Sequence, residues 1–177
     1  EMTSVGGTRM STDAEGNWLA EQSWYDVALT QGTAGGASSL YSRPEWQTVD
    51  SGAGPPDRRL VPDVAAVGDP FTGVKFVFRS QVLTGGGTSQ SAPIWAGLAA
   101  LINDTFAASG ADPLGDLNPL LYEVAKGSTA APGFRDVSLG GNAITPGGRP
   151  GYDMVTGLGS PNIENLAKNI LLVRARQ

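Results

Sequence analysis

The sequence predicts an α/β fold, and three observations carry that prediction. Short β-prone runs alternate along the chain with helical patterns. The longest such pattern, from Ser89 or Ser91 to Ala107, repeats apolar residues at Ile94, Leu98, Leu101, Ile102 and Phe106, the spacing of a mostly buried helix. Glycine and proline, 25 and 12 of 177 residues, make up about a fifth of the chain without periodicity, which fits many tight turns rather than a collagen-like or low-complexity segment.

Taken in order, Thr3–Thr8 (TSVGGT) reads as a strand running into a glycine turn. Asn17–Asp26 reads as extended, with Trp18, Trp24 and Tyr25 as packing residues. Gln31–Gly54 is turn-rich and reads as a surface loop pinned by Pro44 and Trp46. Val74–Phe78 and Gln81–Thr84 are strand candidates, and Gly85–Gly87 breaks the pattern before the long helix. Asn118–Pro119 places an N-cap before a proline at the first helical position, opening a short helix that Gly127 ends. Ser160–Pro161 repeats that signal for a last helix to about Val173, whose Arg174 and Arg176 suit a helix C-terminus. No internal repeat or domain boundary is evident, and residues 1–177 read as one unit.

A chain of this length buries a sufficient core without a disulfide or metal. Charged residues are only 16%, and the formal charge is −5. That balance lacks the basic face a nucleic-acid partner requires. The longest apolar stretch, Ala92–Ile102, is 11 residues and contains Pro93, too short for a membrane span of roughly 18 or more. Neither a nucleic acid nor a membrane is therefore expected as a partner. There is no Cys and no His. Thiol nucleophiles, zinc–thiolate sites, an imidazole base and imidazole ligands are all absent from this chain. Its own nucleophilic or acid–base chemistry must use Ser, Thr, Tyr, Lys or carboxylates.

The segment Thr84-Gly-Gly-Gly-Thr-Ser-Gln-Ser-Ala-Pro93 is the most informative one. Three glycines permit positive φ and close approach of a substrate. The serine that follows stands where a loop enters a helix, beside free backbone N–H groups and the positive end of the helix dipole. A nucleophile there has donors for an oxyanion at hand. On these residues alone, Ser89 or Ser91 as a helix cap behind a glycine turn is the better-fitting reading.

GGTSQSAP resembles the serine motif of the subtilisin-like clan, and the flanks extend the match. Arg59-Leu-Val-Pro-Asp-Val-Ala-Ala66 with Asp69-Pro-Phe-Thr-Gly73 resembles the approach to that serine in the sedolisin family, the serine-carboxyl peptidases. Gly35-Gly36-Ala-Ser38 with Tyr41, Pro44, Trp46 and Gln47 is similar to their GG-x-S…F-x-x-P-x-W-Q segment, with Tyr in the Phe place. Ser4-Val-Gly-Gly-Thr8 resembles the strand opening the same half of that fold. Phe134-Arg-Asp-Val137 and Gly151-Tyr-Asp-Met-Val-Thr-Gly-Leu-Gly-Ser-Pro161 resemble the family's calcium-site segments. The matches lie in family order from residue 4 to about 162.

The resemblance implies the C-terminal half of a subtilisin-like, doubly wound, mostly parallel α/β domain. It makes Ser89 the nucleophile of a secreted, acid-acting endopeptidase, and protein or peptide the substrate. In the family a Glu backed by an Asp is the base, and a further, protonated Asp completes the oxyanion site. A carboxylate still accepts a proton in acid where an imidazole is already charged, and a neutral carboxyl can donate to an oxyanion. All three family carboxylates precede the SVGGT strand. The resemblance therefore implies an N-terminal chain of the same processed precursor as partner, and inactivity of this chain alone. Glu21 and Asp26 do not match the family spacing, Asp63 reads as structural, and Asp57 and Asp69 as turn residues.

For calcium, the resemblance assigns side-chain oxygens to Asp136 and Asp153 and carbonyls to Val137, Arg149 and Gly151. Ca²⁺ takes six to eight such oxygens, and the loop 140–151 is rich enough in Gly and Pro to curl round an ion. Two solvated aspartates in a turn-rich loop are the alternative. Against the whole reading stand a subtilisin-like Ser/His/Asp protease with its His elsewhere, a non-catalytic remnant of the fold, and, within the family, tripeptidyl-peptidase activity. Ile94 after Pro93, together with PEWQ and the GYDMVTGLGSP end, argues against the first.

Overall fold

The computed structural model describes residues 2–50, 53–127, 130–145 and 148–176. Its centre is a three-stranded sheet in the order β2-β1-β7, formed by β1 (Val5–Thr12), β2 (Trp18–Ser23) and β7 (Val64–Val67). β1 serves two partners. Its first half, Val5–Thr8, runs parallel to Val64–Val67. Its second half, Thr8–Thr12, pairs antiparallel with β2. Gly6 and Gly7 therefore lie inside the strand and not in a turn, because ladder pairing to β7 holds them extended.

All four residues of β7 are buried, as befits a parallel strand covered by other elements. One cover is α1 (Thr88–Ala108), which packs on β1 and β7. Trp95 Nε1 donates to the Ala65 carbonyl at 2.9 Å and pins the helix to the strand. Val64, Ala66, Trp95, Ile102 and Phe106 then join Leu120, Leu121 and Val124 of α2 (Leu117–Ala125) and Leu166 and Ile170 of α3 (Ile163–Arg174) in the main core.

The remaining strands form two-stranded antiparallel ribbons: β3 (Tyr25–Asp26) with β4 (Gln31–Gly32), β5 (Gly36–Ser42) with β6 (Arg58–Val61), β8 (Lys75–Phe78) with β9 (Gln81–Thr84), and β10 (Phe134–Arg135) with β11 (Ser160–Pro161). The expected loop 31–54 thus contains β4 and β5, while residues 51 and 52 lie outside the described residues. Among the described residues the β1/β7 pair is the only parallel one. Short local ribbons close through tight turns, whereas each parallel pair needs a long crossover.

Two helix starts differ from expectation. The short helix begins one residue before Asn118, with Asp116 as N-cap. Asn118 is buried and accepts a hydrogen bond from Thr3 Oγ1 at 2.7 Å, so tertiary structure uses its side chain. Ser160–Pro161 is strand β11, and Asn162 caps the last helix by accepting from Asn165 N. At the other end of that helix Arg174 donates to the carbonyls of Asp112 and Pro113. No helix among the described residues is long and apolar enough to cross a membrane.

A second, smaller core surrounds Asp63, where Ala53, Leu60, Tyr122 and Tyr152 are buried. Tyr122 Oη donates to Asp63 Oδ1 at 2.9 Å and Tyr152 Oη to the Pro62 carbonyl at 2.9 Å. Burial raises the pKa of both phenols far above the ordinary tyrosine value, and the charge of Asp63 adds to it. The neutral form is thus favoured in the folded state. Stability from these two groups is complete below the unfolded value near 10 and declines as pH rises beyond it. An absorbance titration at 295 nm should therefore show two of the four tyrosines ionising only with alkaline unfolding. Ionisation of all four before the circular dichroism changes would contradict the burial.

Candidate active site

The C-terminal ends of the parallel pair lead to the glycine segment. Thr8 O accepts from Gly68 N at 2.9 Å and from Asp69 N at 3.1 Å, and Gly68 O accepts from Gly87 N at 2.5 Å. This is the end of a parallel α/β pair where ligands bind. Gly87 is the N-cap of α1 with φ +83°, a left-handed conformation that favours glycine. Gly68 is needed for close approach: a Cβ there would lie 2.9 Å from Ser91 Oγ and 3.1 Å from Gly7 Cα.

The two candidate serines take different places. Ser91 is fully buried and its Oγ lies 3.0 Å from the Ala66 carbonyl and 3.1 Å from the Val67 carbonyl, tying helix to strand. Ser89, one position into the first turn after Thr88, is exposed. Its hydroxyl has no hydrogen-bond partner among the described residues, and no side chain caps the helix. Gln90 N and Ser91 N donate to the Gly87 carbonyl at 2.9 and 3.4 Å, which leaves the amides of Thr88 and Ser89 without an acceptor among the described residues. Pro93 stands inside α1, four residues after Ser89, so it cannot donate the amide that a regular helix would direct at the Ser89 carbonyl.

Glu21, Asp63, Asp69 and Asp57 each have partners other than Ser89. Glu21 is buried and accepts from Thr8 Oγ1 at 2.5 Å, Ser160 Oγ at 2.5 Å and Trp18 Nε1 at 3.3 Å, clasping β1, β2 and β11. Asp63 is buried against Arg59 Nη2 at 2.5 Å, at the opposite end of β7 from Gly68. Asp69 is not an ordinary turn residue: it is buried, accepts from Phe71 N at 2.8 Å and pairs with Arg9 Nε at 3.2 Å. Asp57 is exposed beside Arg58 at 3.3 Å. Sequence reasoning did not find the clasp at Glu21. The signal available was an acidic residue at an inward position of a strand, with Ser23 as the other buried residue of β2.

Asp136 and Asp153 come together in the C-terminal loops. Gly151 N donates to Asp136 Oδ2 at 2.8 Å and Arg149 N to Asp153 Oδ2 at 3.4 Å. Partial withdrawal from water raises the Asp136 pKa, and the nearby charge of Asp153 raises it further. Asp153 is buried, and its Oδ1 accepts from Val155 N and Thr156 N, both at 2.8 Å. The Val137 carbonyl meets Thr156 Oγ1 at 3.4 Å. Asp136 and Asp153 have no basic partner among the described residues and, with the nearby Val137 carbonyl, offer oxygens of the kind a hard cation takes. Arg149 Nη2 lies 3.9 Å from Asp50 instead. Among the described residues no cluster of three or more His, Cys, Asp or Glu exists, so such a cation would depend on carbonyls and water. Residues 146 and 147 of this loop lie outside the described residues.

No family model matches the chain. Individual proteins do. Kumamolisin of Bacillus sp. (strain MN-32) is 38% identical over 170 residues, 89% of this chain and 29% of its own length. Tripeptidyl-peptidase 1 of Dictyostelium discoideum is 35% identical over 157 residues, 78% of this chain and 25% of its own. Sedolisin of Pseudomonas sp. (strain 101) is 33% identical over 178 residues, 94% of this chain and 28% of its own. A solved structure of Pseudomonas sedolisin, a serine-carboxyl proteinase complexed with two molecules of pseudo-iodotyrostatin, superimposes with a TM-score of 0.77 at 32% identity, covering 97% of this chain and 45% of that one. The chain thus spans less than a third of the length of these curated relatives, on an α/β peptidase fold. With similarity of this depth along most of its residues, the chain belongs to the sedolisin family.

Proposed function

We propose that this chain is the nucleophile-bearing, C-terminal portion of an acid-acting serine-carboxyl endopeptidase, whose complete domain is a doubly wound, mostly parallel sheet. The observation that carries the reading is the exposed, unpartnered hydroxyl of Ser89 at the open amide end of α1. Ser89 Oγ attacks the peptide carbonyl carbon while its proton passes to a carboxylate base. The C–N bond then breaks as the amine takes that proton, and water hydrolyses the acyl-enzyme. The Ser89 amide helps hold the oxyanion. The Glu/Asp base and the oxyanion Asp come from parts of the protein outside these 177 residues. The tight commitments of Glu21, Asp63 and Asp69 support that division. The enzyme is secreted and acts on proteins or peptides.

The pH profile tests this. The base must be ionised and the oxyanion acid protonated, so kcat/KM of the assembled enzyme should rise through about pH 4 and fall again before neutrality. A maximum at neutral pH or above rejects a carboxylate base.

Asp136 and Asp153, with the carbonyls of Val137, Arg149 and Gly151, would hold Ca²⁺ in a structural role. Its removal leaves two neighbouring carboxylates uncompensated. EGTA should then lower Tm by on the order of 5–10 °C when free Ca²⁺ stood about a hundredfold above Kd. Asp153→Ala should abolish the shift, and no shift in the unmodified protein counts against the site.

A further inference from the structure

The glycine segment that leads into Ser89 has no side chains of its own to hold it. Three successive glycines have the widest backbone freedom of any residues, so the place of Gly85–Gly87 must be imposed from outside. The turn 68–73 meets each of them. Gly87 N donates to Gly68 O at 2.5 Å. Gly86 lies so close to Pro70 that a Cβ on it would stand 2.6 Å from Pro70 Cβ. The Gly85 carbonyl occupies the place that a side chain on Gly73 would take. Gly87 then passes its position to the helix. Its carbonyl accepts from Gln90 N at 2.9 Å and Ser91 N at 3.4 Å, with Thr88 and Ser89 between.

Polar ties fasten this turn to β1. No residue of 68–73 belongs to either hydrophobic core among the described residues, and Phe71 is exposed. Thr8 O accepts from both Gly68 N and Asp69 N, and Met10 N donates to Thr72 Oγ1 at 3.3 Å. Asp69 is the only charged residue of the turn, and it is buried. Its carboxylate accepts from Phe71 N at 2.8 Å, which shapes the turn, and pairs with Arg9 Nε at 3.2 Å, which ties the turn to β1. The turn thus has β1 on one side and the three glycines on the other. Resting on the peptidase reading, we propose that Asp69 is a positioning residue for Ser89. Through the turn, its ion pair with Arg9 fixes the glycine segment and hence the reach of the Ser89 hydroxyl and amide to the carbonyl under attack. A misplacement of about 1 Å at such a group costs about a hundredfold in rate, so a tie that joins no core can still govern turnover.

The test uses the full, assembled enzyme, with kcat and KM measured well below the Tm of each variant. Asp69→Asn keeps an acceptor for Phe71 N but gives up the charge facing Arg9. It should lower kcat by about tenfold to a hundredfold with KM within about twofold, the pattern of an interaction realised only in the transition state. Arg9→Gln, at a half-exposed side chain, should lower kcat in the same way. The double variant should be no worse than Asp69→Asn, because the two groups act as one. Asp57→Asn breaks only an exposed pair with Arg58 and should leave both constants unchanged. Should Asp69→Asn fail to fold, Arg9→Gln carries the test alone. A normal kcat with a lowered Tm would make the pair a structural tie only, and a raised KM at normal kcat would assign it to substrate binding. Falls that multiply in the double variant would show two independent roles. Each of these three results overturns the proposal and leaves the peptidase reading intact. No hydrolysis by the unmodified enzyme, or continued hydrolysis after Ser89→Ala, would instead overturn the peptidase reading, and this one with it.

Discussion

Replacing Ser89 by alanine is expected to lower kcat/KM of the assembled enzyme by at least about 10⁴-fold while leaving Tm almost unchanged. Loss of a serine nucleophile removes the acyl-enzyme route, and what survives is the modest effect of the oxyanion donors and binding. The stability half of the prediction rests on geometry. The Ser89 hydroxyl is exposed and bonds to nothing among the described residues, and such surface positions change stability by about 0.5 kcal/mol or less. Ser91→Ala should give the opposite pattern. It strips a buried hydroxyl from the Ala66 and Val67 carbonyls, at a cost of about 1–3 kcal/mol, yet the folded fraction keeps its nucleophile. Steady-state kinetics paired with thermal melts separate the two serines. Continued hydrolysis by the Ser89→Ala enzyme, or an inactive Ser91→Ala enzyme of normal Tm, would sink the assignment.

In the sequence it was the resemblance that singled out Ser89, since local residues left both serines open; the structure adds that Ser89 is exposed and Ser91 buried. Strand content read well where periodicity was plain: Val74–Phe78 and Gln81–Thr84 became β8 and β9 almost unchanged. It failed where pairing overrode local preference. Gly6 and Gly7 lie within a strand because β7 pairs with them, and β5 forms in a turn-rich stretch because β6 lies beside it. The starts of α2 and α3 were each misplaced by two residues for a similar reason, since Asn118 and Ser160 spend their side chains on distant partners, Thr3 and Glu21. Interactions between residues over a hundred positions apart leave no local signature. The structural reading of Asp63 stands on firm ground because it sits at the N-terminal end of β7, some four residues, or about 13 Å, from the end that feeds Ser89.

Asp63 accordingly should be the position where a single change costs the fold most. Its carboxylate is fully buried, accepts from Ser4 N at 2.8 Å, Tyr122 Oη at 2.9 Å and Arg59 Nη2 at 2.5 Å, and so ties β1, α2 and β6 to the start of β7. Arg59 is itself largely covered, with its guanidinium 5.1 Å from the Trp46 ring centroid. Gln47 holds the same cluster from the other side, donating to Tyr122 Oη at 2.7 Å and bonding both main-chain groups of Leu60 at 2.8 Å. Asp63→Ala leaves a mostly buried cation, a phenol and a backbone amide without their acceptor, and removing one partner of such a pair costs about 3–5 kcal/mol. Asp63→Asn retains shape and an acceptor oxygen, and should cost less, about 1–3 kcal/mol. Arg59→Leu with Asp63→Leu removes both charges together and should recover part of the loss. Denaturant melts of the three variants check this order. Equal stability of Asp63→Ala and the unmodified protein would mean that the second core is held by its tyrosines and Trp46 alone.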